Sequence, residues 1–289
     1  MTFYISVYSG LNNKLLPLIS LLRIARIENR KIKCYWGNDK FLNSSNFQFN
    51  DLFNNIDDIE FISKKEFYRE LKNKNNVIYN NSGSDRNITN TIYKTTLKTS
   101  VFYNIVHCIS YENDNFINKF VPYPREYTEK ITMIDELRKN IKNLVPTDNI
   151  LNKINFDFFD KNQVLGIHIR TTDGGFTDIP KNNIFNYIDL FLKEHPSYKI
   201  YISTDNYDLE NKIIKTFPDK IFYLKNPFGK SYHDKFNRTT YGTKNAVCEM
   251  FSLSKCKYFV GTPGSSFSFM VWLLRNDNSI NFWCNNPWK

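Results

Sequence analysis

The sequence predicts an α/β protein with parallel sheets that is organised as two halves. A chain of 289 residues has room for one large or two small α/β domains. Apolar residues make up 41% and aromatic residues 16% of the chain, which is enough to build a packed core. Strand and helix patterns alternate through the second half, and such alternation is typical of parallel sheets with crossover helices.

The chain opens with a strand, a helix and a second strand. Residues 3–8 alternate as a strand, residues 15–27 carry apolar side chains at helical spacing, and residues 32–36 form another strand pattern. Pro17 would fall in the first turn of this helix, where a missing N–H is tolerated. This opening predicts a parallel sheet in the first half.

The middle of the chain is rich in asparagine and predicts fewer elements. We expect two helices and one strand there, near residues 64–73, 95–109 and 77–79. The apolar residues of 129–144 fall on one face of an amphipathic helix. Pro146 lies in the break that follows this helix. We therefore divide the chain into a domain of residues 1–148 and a domain of residues 149–289.

The second half has a more regular pattern. Strand patterns cover residues 164–169, 199–203, 221–224, 258–260 and 280–283. Helix patterns cover residues 185–194, 208–217, 245–254 and 267–275. Strands that alternate with helices in this way predict a doubly wound parallel sheet for the C-terminal half.

The net charge of the chain is strongly positive but does not select one kind of partner. The formal net charge is +10 and the pI is near 9.2. Such a protein suits nucleic acid, an anionic membrane surface or an anionic small substrate, and a codon bias toward lysine explains the charge equally well. No RGG or RRM-like pattern is present, so we predict no nucleic-acid partner.

The cysteines indicate neither a disulfide framework nor a metal site. There are five, without a CxxC pair, and all lie in apolar segments: Cys34, Cys108, Cys248, Cys256 and Cys284. We expect free thiols in a reducing compartment. The N-terminus lacks a basic segment, and no apolar run approaches the roughly 20 residues of a membrane span. These features predict a cytoplasmic protein, and its charge leaves peripheral membrane association open.

Polar residues follow the predicted strand at 164–169. His168 and Arg170 alternate to one face at the end of this strand, and Asp173 begins the glycine-rich turn after it. Ligands of open α/β sheets bind outside the carboxyl ends of the strands. These residues are therefore candidates for a binding site, although local carboxylates would equally satisfy an isolated histidine–arginine pair.

Two further strand ends carry small polar residues. Thr204 and Asp205 follow one strand, where Thr-Asp-Asn is also an ordinary helix cap. Gly264, Ser265 and Ser266 follow another strand and precede an apolar helix. Backbone N–H groups at such a helix start bind phosphate, while a simple serine N-cap is the plainer alternative.

Taken together, the three strand ends favour a diphosphate ligand. An arginine at one strand end and an anion-binding helix start at another fit a pyrophosphate better than either fits a single charge. The sequence lacks GxxxxGK[ST], which argues against a P-loop NTPase.

The segment His168-Ile169-Arg170-Thr171-Thr172-Asp173 resembles the HxRxxD-type motif of the α1,2-, α1,6- and protein O-fucosyltransferase superfamily. The loops after the other two strands resemble the second and third motifs of that superfamily. The segment from Glu249 to Cys256 is similar to its acidic helix, and the segment from Ser9 to Leu15 to its glycine-rich first turn. The resemblance covers most of residues 164–275 and only a short stretch of the first half.

The resemblance implies two Rossmann-like domains in a GT-B-like arrangement. Residues 1–148 would form the acceptor side, and residues 149–289 would bind the nucleotide sugar. It also implies GDP-fucose as donor, a glycan or glycoconjugate as acceptor, inversion at the anomeric carbon, and neither a metal nor a cofactor.

The resemblance also implies a role for each matched residue. Arg170 would hold the β-phosphate, and His168 and Glu249 the guanosine end. The other implied donor-binding residues are Gly10, Asn12, Asn13, Thr204, Asp205, Gly264, Ser265 and Ser266. The implied catalytic residues are Arg170, Asp173 and Asp178. Of the two aspartates, Asp178 would be the base that deprotonates the acceptor, and Asp173 would orient His168 or the loop backbone.

Two positions depart from the motif of this superfamily. Thr171 stands where many relatives carry a second arginine, and Gly264 stands where a relative carries a hydroxyl residue. Lys14, Lys230 and Lys235 are candidates to supply the missing charge.

Other functions and other residues remain open from the sequence. The chain could use another GDP-sugar, or could be a catalytically inactive protein that binds a nucleotide or a carbohydrate. We expect His195 at the surface and His107 in the core or against a partner. His233 lies in a long basic and aromatic loop that either contacts a ligand or is merely solvated.

Overall fold

The structure is a computed structural model of the whole chain. It describes residues 2–7, 10–27, 29–37, 47–71, 77–80, 135, 137–171, 181–225, 227–228, 240–262, 265–275 and 281–282. The chain divides into two compact units, Met1–Thr147 and Asp148–Lys289. Each unit contains a parallel β-sheet, so the protein belongs to the α/β class that the sequence predicts.

The Met1–Thr147 unit contains four described strands: β1 (Phe3–Val7), β2 (Ile32–Trp36), β3 (Ile59–Phe61) and β4 (Val77–Asn80). Their spatial order is β3-β2-β1-β4, and every pairing is parallel. All five residues of β1 are buried, as expected for a central strand of a parallel sheet. Two helices accompany these strands, α1 (Leu11–Ile27) and α2 (Lys64–Leu71).

Helix α1 begins earlier than its apolar pattern predicts. The N–H of Lys14 bonds to the carbonyl of Gly10 at 3.1 Å, so the first turn forms directly after that glycine. Pro17 therefore lies in the second turn, and the prediction that it lies in the first turn is wrong. Because proline has no N–H, α1 lacks one internal hydrogen bond at this turn.

The Asp148–Lys289 unit contains five described strands: β5 (Val164–Ile169), β6 (Lys199–Thr204), β7 (Ile221–Phe222), β8 (Tyr258–Gly261) and β9 (Asn281–Phe282). They lie in the order β7-β6-β5-β8-β9, all parallel. The chain runs outward from β5 to β7 and then returns to place β8 on the other side of β5. The strand order therefore reverses between β5 and β8, where open sheets bind their ligands.

Six described helices belong to this unit: α3 (Asp148–Leu151), α4 (Phe156–Lys161), α5 (Lys181–Glu194), α6 (Tyr207–Thr216), α7 (Thr240–Lys255) and α8 (Ser266–Leu274). One core cluster joins α5 and α6 to strands β5 and β6 through residues such as Ile167, Ile188, Ile200 and Ile213. Helix α8 is buried from Phe267 to Leu273, which explains why it is apolar around its whole circumference.

Most predicted elements lie within a few residues of the observed ones, with several differences. Helices α5 and α7 begin four and five residues before the predicted starts at 185 and 245, at Lys181 and Thr240. Strand β3 and the short helices α3 and α4 were not predicted. The predicted helix at 95–109 lies outside the described residues. Of the predicted helix at 129–144, only residues 135 and 137–141 are described as helical.

The described residues also bear on three sequence-based predictions, which concern cysteines, membrane spans and metal sites. Cys34, Cys248 and Cys256 are free and buried, and the other two cysteines lie outside the described residues. Among the described helices, none combines the length and apolarity needed to cross a bilayer. The described part of the chain contains no group of three or more His, Cys, Asp or Glu residues placed to hold a metal ion.

Candidate functional site

The three polar strand ends lie side by side at the carboxyl edge of the second sheet. Strand β5 pairs with β6 on one side, where Ile169 is opposite Thr204. It pairs with β8 on the other side, where Ile167 is opposite Val260. The residues that follow these strands are therefore neighbours across the point where the strand order reverses.

Thr262 joins the end of β5 to the end of β8. Its hydroxyl accepts a hydrogen bond from the N–H of Arg170 and donates one to the carbonyl of His168, both at 2.9 Å. Its own N–H donates to Oγ of Ser268 at 2.9 Å. The side chain is fully buried. These bonds hold the backbone of Arg170 in a defined position beside the start of α8.

His168 is buried at the end of β5 and contacts α8. Its Nδ1 lies 2.7 Å from Oγ of Ser268, and its ring packs at 4.6 Å from the ring of Phe267. Burial lowers the pKa of His168 from its ordinary value of 6.5 to about 3, opposed by Asp205 and assisted by Arg170. The imidazole is therefore neutral at physiological pH.

Asp205 holds the segment that follows Arg170. Its Oδ1 accepts hydrogen bonds from the N–H of Thr171 at 2.7 Å and from the hydroxyl of Thr171 at 3.0 Å. These bonds connect the end of β5 to the end of β6. Arg170 itself is half-buried, between this connection and the one made by Thr262.

Two different residues after β6 cap α6 and bond across the strand ends. Asn206 is the N-cap of α6 and accepts a hydrogen bond from the N–H of Leu209 at 3.0 Å. Thr204 is buried, and its hydroxyl accepts from the N–H of Asn206 at 3.2 Å. The helix cap is thus present, and Asp205 bonds across the strand ends instead of capping the helix.

Glu249 is a buried carboxylate on α7. Its Oε2 accepts a hydrogen bond from the hydroxyl of Ser203 at 2.7 Å, and both side chains are at most 3% exposed. Helix α7 therefore presents a buried carboxyl group to the end of β6. A buried carboxylate needs such a donor, because desolvation of an unpaired charge is strongly unfavourable.

The third strand end contains a capped helix start. Ser265 is the N-cap of α8 and is buried, and Ser266 is half-buried at the first helical position. The N–H of Ser265 donates to the carbonyl of Thr262 at 3.2 Å. The plain N-cap and the proposed phosphate contact are compatible, because one side-chain oxygen cannot satisfy all four N–H groups of a helix start.

The glycine-rich first turn belongs to the Met1–Thr147 unit. Gly10 precedes α1, and Asn12 is buried with an Oδ1 that has no hydrogen-bond partner among the described residues. Asn13 is in α1, and its side chain is not described. Lys14 is fully buried, and its ammonium group lies 4.9 Å from the ring of Trp36 and 4.7 Å from that of Phe47.

The remaining predicted residues lie either outside the described residues or away from these strand ends. Asp173, Asp178, Gly264, His107, His233, Lys230 and Lys235 lie outside the described residues. His195 is half-buried and packs against Phe191 and Tyr198 at ring distances of 4.7 and 5.1 Å. Because Tyr198 precedes β6, this histidine lies at the amino end of the sheet, away from the strand ends described above.

Three further residues make hydrogen bonds at these strand ends that were not predicted from the sequence: Thr262, Ser268 and Ser203. All three are small hydroxyl residues at or just after strand ends, or in the first turn of the following helix. The run Gly261-Thr262-Pro263-Gly264-Ser265-Ser266 was a usable signal, because small hydroxyl residues suit the close approach of backbones at such an edge.

Comparison with known proteins identifies the fold. No protein-family model and no curated protein matches the sequence. The NodZ α1,6-fucosyltransferase crystallised with GDP is 12% identical, with a TM-score of 0.56 and coverage of 95% of this chain and 93% of that chain. The fucosyltransferase NodZ from Bradyrhizobium is 12% identical, with a TM-score of 0.54 and coverage of 95% and 94%. POFUT1 in complex with GDP is 11% identical, with a TM-score of 0.53 and coverage of 98% and 99%. Over nearly its whole length, this chain therefore has the fold of fucosyltransferases.

Proposed function

We propose that the chain is an inverting glycosyltransferase that transfers fucose from GDP-fucose to a hydroxyl group of a glycan or glycoconjugate. In this proposal its two sheets belong to two Rossmann-like domains of a GT-B-like enzyme, the second of them doubly wound. The shared fold supports the proposal, since the neighbours include structures with bound GDP and GDP-fucose. The observation that carries it is the linkage of Arg170 to the start of α8 through Thr262.

The chemistry of the leaving group explains why this linkage matters. When the bond from fucose to the β-phosphate breaks, negative charge develops on the phosphate oxygens. A guanidinium group and the N–H groups of a helix start stabilise that charge when they are held in place beforehand. We assign the β-phosphate to Arg170 and the phosphates also to the loop of Gly264, Ser265 and Ser266.

The guanosine end is assigned to His168, Glu249, Thr204 and Asp205. A carboxylate accepts hydrogen bonds from N1–H and the N2 amino group of guanine together, and uracil offers no matching pair of donors. The hydrogen bond from Ser203 holds the carboxyl group of Glu249 at the end of β6. Gly10, Asn12 and Asn13 complete the proposed set of donor contacts.

The acceptor hydroxyl needs a base, because inversion proceeds by a single displacement. We propose Asp178 for this role and Asp173 as the residue that orients His168 or the loop. A divalent metal ion at the leaving diphosphate is not required in this proposal, because Arg170 supplies the positive charge. Transfer should then persist in EDTA, and complete loss with rescue by Mn²⁺ would contradict this part.

Thermal unfolding with a set of nucleotides tests the proposed function. A ligand that binds only the folded protein stabilises it by RT ln(1 + [L]/Kd). We expect GDP to raise the melting temperature, and UDP, CMP and dTDP to leave it unchanged. Equal stabilisation by UDP would contradict the guanine assignment. Transfer assays with GDP-fucose and GDP-mannose then separate fucose transfer from the use of another GDP-sugar.

A further inference from the structure

Ser268 contacts a ring nitrogen of His168, with its Oγ 2.7 Å from Nδ1. The serine is in the first turn of α8 and is fully buried. It is separated from His168 by 100 residues of sequence. Its position therefore depends on how β5, β8 and α8 pack together.

The hydrogen bonds of Ser268 determine where its proton lies. Its Oγ already accepts the N–H of Thr262 at 2.9 Å, so one lone pair is used. The hydroxyl proton needs an acceptor, and among the described contacts of this buried oxygen the acceptor is Nδ1 of His168. If Nδ1 carried a proton instead, the serine would keep a buried donor without a partner among the described residues, which is unfavourable.

Gly261 makes this contact possible. A Cβ atom at position 261 would lie 2.8 Å from Cβ and 2.9 Å from Oγ of Ser268, closer than such atoms approach. Any side chain there would displace Ser268 from His168. The absence of a side chain at the last residue of β8 thus allows α8 to bring the serine to the histidine.

We propose that Ser268 sets the tautomer of His168, so that the neutral ring carries its proton on Nε2 and acts as a hydrogen-bond donor toward the acceptor atoms of GDP. This inference rests on the proposed function only for the identity of the ligand. Ser268 is a positioning residue in this scheme, since it acts through His168. The low pKa of His168 agrees with a ring that stays neutral.

The first experiment measures the tautomer in the free protein by long-range ¹H–¹⁵N NMR of the histidine rings. The chain contains four histidines, and the signals that disappear in a His168→Gln variant belong to His168. We expect Nδ1 to resonate as an unprotonated nitrogen and Nε2 as a protonated one at pH 7. A proton on Nδ1, or on both nitrogens, would overturn the proposal. This measurement needs neither GDP nor a serine variant.

The second experiment compares Ser268→Ala with wild type. We expect its Nδ1 signal to move toward that of a tautomer mixture, and the Kd for GDP to rise about tenfold through loss of one well-placed hydrogen bond. Ser254→Ala is the matched control, because the Ser254 hydroxyl donates to the carbonyl of Phe251 within α7 and, among the described residues, has no bond to the strand ends. An unchanged tautomer and Kd in Ser268→Ala would overturn the role of Ser268. If wild type shows the expected tautomer but does not bind GDP, the proposed function fails and the tautomer assignment stands.

Discussion

Arg170 is the residue whose side chain the proposed chemistry uses most directly. Its backbone N–H is held by Thr262 at 2.9 Å, so a change of side chain leaves this anchor in place. We expect Arg170→Lys to lower kcat by roughly 10²–10³-fold with an unchanged melting temperature, because lysine keeps the charge but loses the bidentate fork. Steady-state kinetics with GDP-fucose measure this effect.

The matched control for that variant is Arg26→Lys. Arg26 pairs with Asp58 at 2.9 Å in the other unit and has no proposed part in donor binding. Its kinetics should equal those of wild type. Wild-type kinetics for Arg170→Lys would leave Arg170 with a purely structural role.

Asp178 is the proposed base for the acceptor, and Asp173 is the proposed orienting carboxylate. Asp178→Asn should leave the Kd for GDP unchanged and lower transfer by roughly 10²–10⁴-fold, the usual contribution of a general base. Binding by calorimetry and transfer by a coupled assay measure the two quantities separately. If Asp178→Asn transfers at the wild-type rate while Asp173→Asn binds GDP and is inactive, the base is Asp173.

His168 gives the stability of the protein a definite pH dependence. Its pKa is about 3 in the folded protein and about 6.5 in the unfolded chain, so the unfolded state binds more protons between these values. Titration of His168 therefore leaves the free energy of unfolding at its full value above pH 6.5 and lowers it as the pH decreases from 6.5 toward 3. The loss through this residue should reach about 2 kcal/mol at pH 5.

Urea denaturation at pH 7 and pH 5 measures that loss. His168→Gln is the control, because glutamine does not titrate and the variant should lose less stability than wild type over the same interval. Equal losses in the two proteins would show that other groups cause the acid sensitivity.

The sequence predicted the polar residues at the strand ends better than their hydrogen-bond partners. His168, Arg170 and Asp205 follow buried strands, and the rule that ligands bind at strand ends selects them from sequence. The roles of Thr262 and Ser268 could not be predicted in this way. Their hydrogen bonds reach residues 92 and 100 positions away in the chain, and only the observed pairing of β5 with β8 brings these residues together.

At the scale of elements, apolar periodicity predicted the long helices and the buried strands. It missed the first turns of α5 and α7, because Lys181 and Thr240 begin those helices with polar residues that carry no apolar signal. It also missed β3, whose three residues are too few to show a period. Helix starts and short edge strands depend on tertiary contacts that a local pattern does not contain.

Strand β5, which leads to the candidate site, packs closely against α7 and the residue after it. Gly166 lies in β5, where an added Cβ would be 2.8 Å from Sγ of Cys256 and 3.0 Å from a methyl group of Leu253. Gly166→Ala should therefore lower the free energy of unfolding by about 1–3 kcal/mol through overpacking. The midpoint of urea denaturation measures this change.

A second substitution tests the cause of that loss. Cys256→Ala removes the sulfur atom that meets the new methyl group, so the double variant Gly166→Ala/Cys256→Ala should recover part of the stability. The coupling between the two changes should be about 0.5–3 kcal/mol, as for residues in contact. Simple additivity would mean that the strain arises elsewhere.

At the scale of the whole molecule, the two compact units each contain buried thiols. Cys34 is in β2 of the Met1–Thr147 unit, and Cys248 and Cys256 are in or next to α7 of the Asp148–Lys289 unit. Burial raises the pKa of Cys248 to about 12 and holds the pKa values of Cys34 and Cys256 above the ordinary range. Since the thiolate is the reactive form, these groups should react only when their surroundings open.

Pulsed maleimide labelling followed by peptide mass spectrometry can then report on each unit. The residues assigned by name to guanine and to the phosphates, around Arg170 and α8, lie in the Asp148–Lys289 unit, and the Met1–Thr147 unit supplies the remaining donor contacts at Gly10, Asn12 and Asn13. We expect GDP at about 100 times its Kd to slow labelling of Cys248 and Cys256 by about 100-fold, because the ligand multiplies the folded population by 1 + [L]/Kd. Cys34 should be labelled at the same rate with and without GDP. UDP at the same concentration should protect none of the three cysteines. Protection of Cys34 alone would contradict the assignment of the nucleotide to the second unit. Equal protection of all three would show that GDP also stabilises the Met1–Thr147 unit, either through its own donor contacts or because the two units open together.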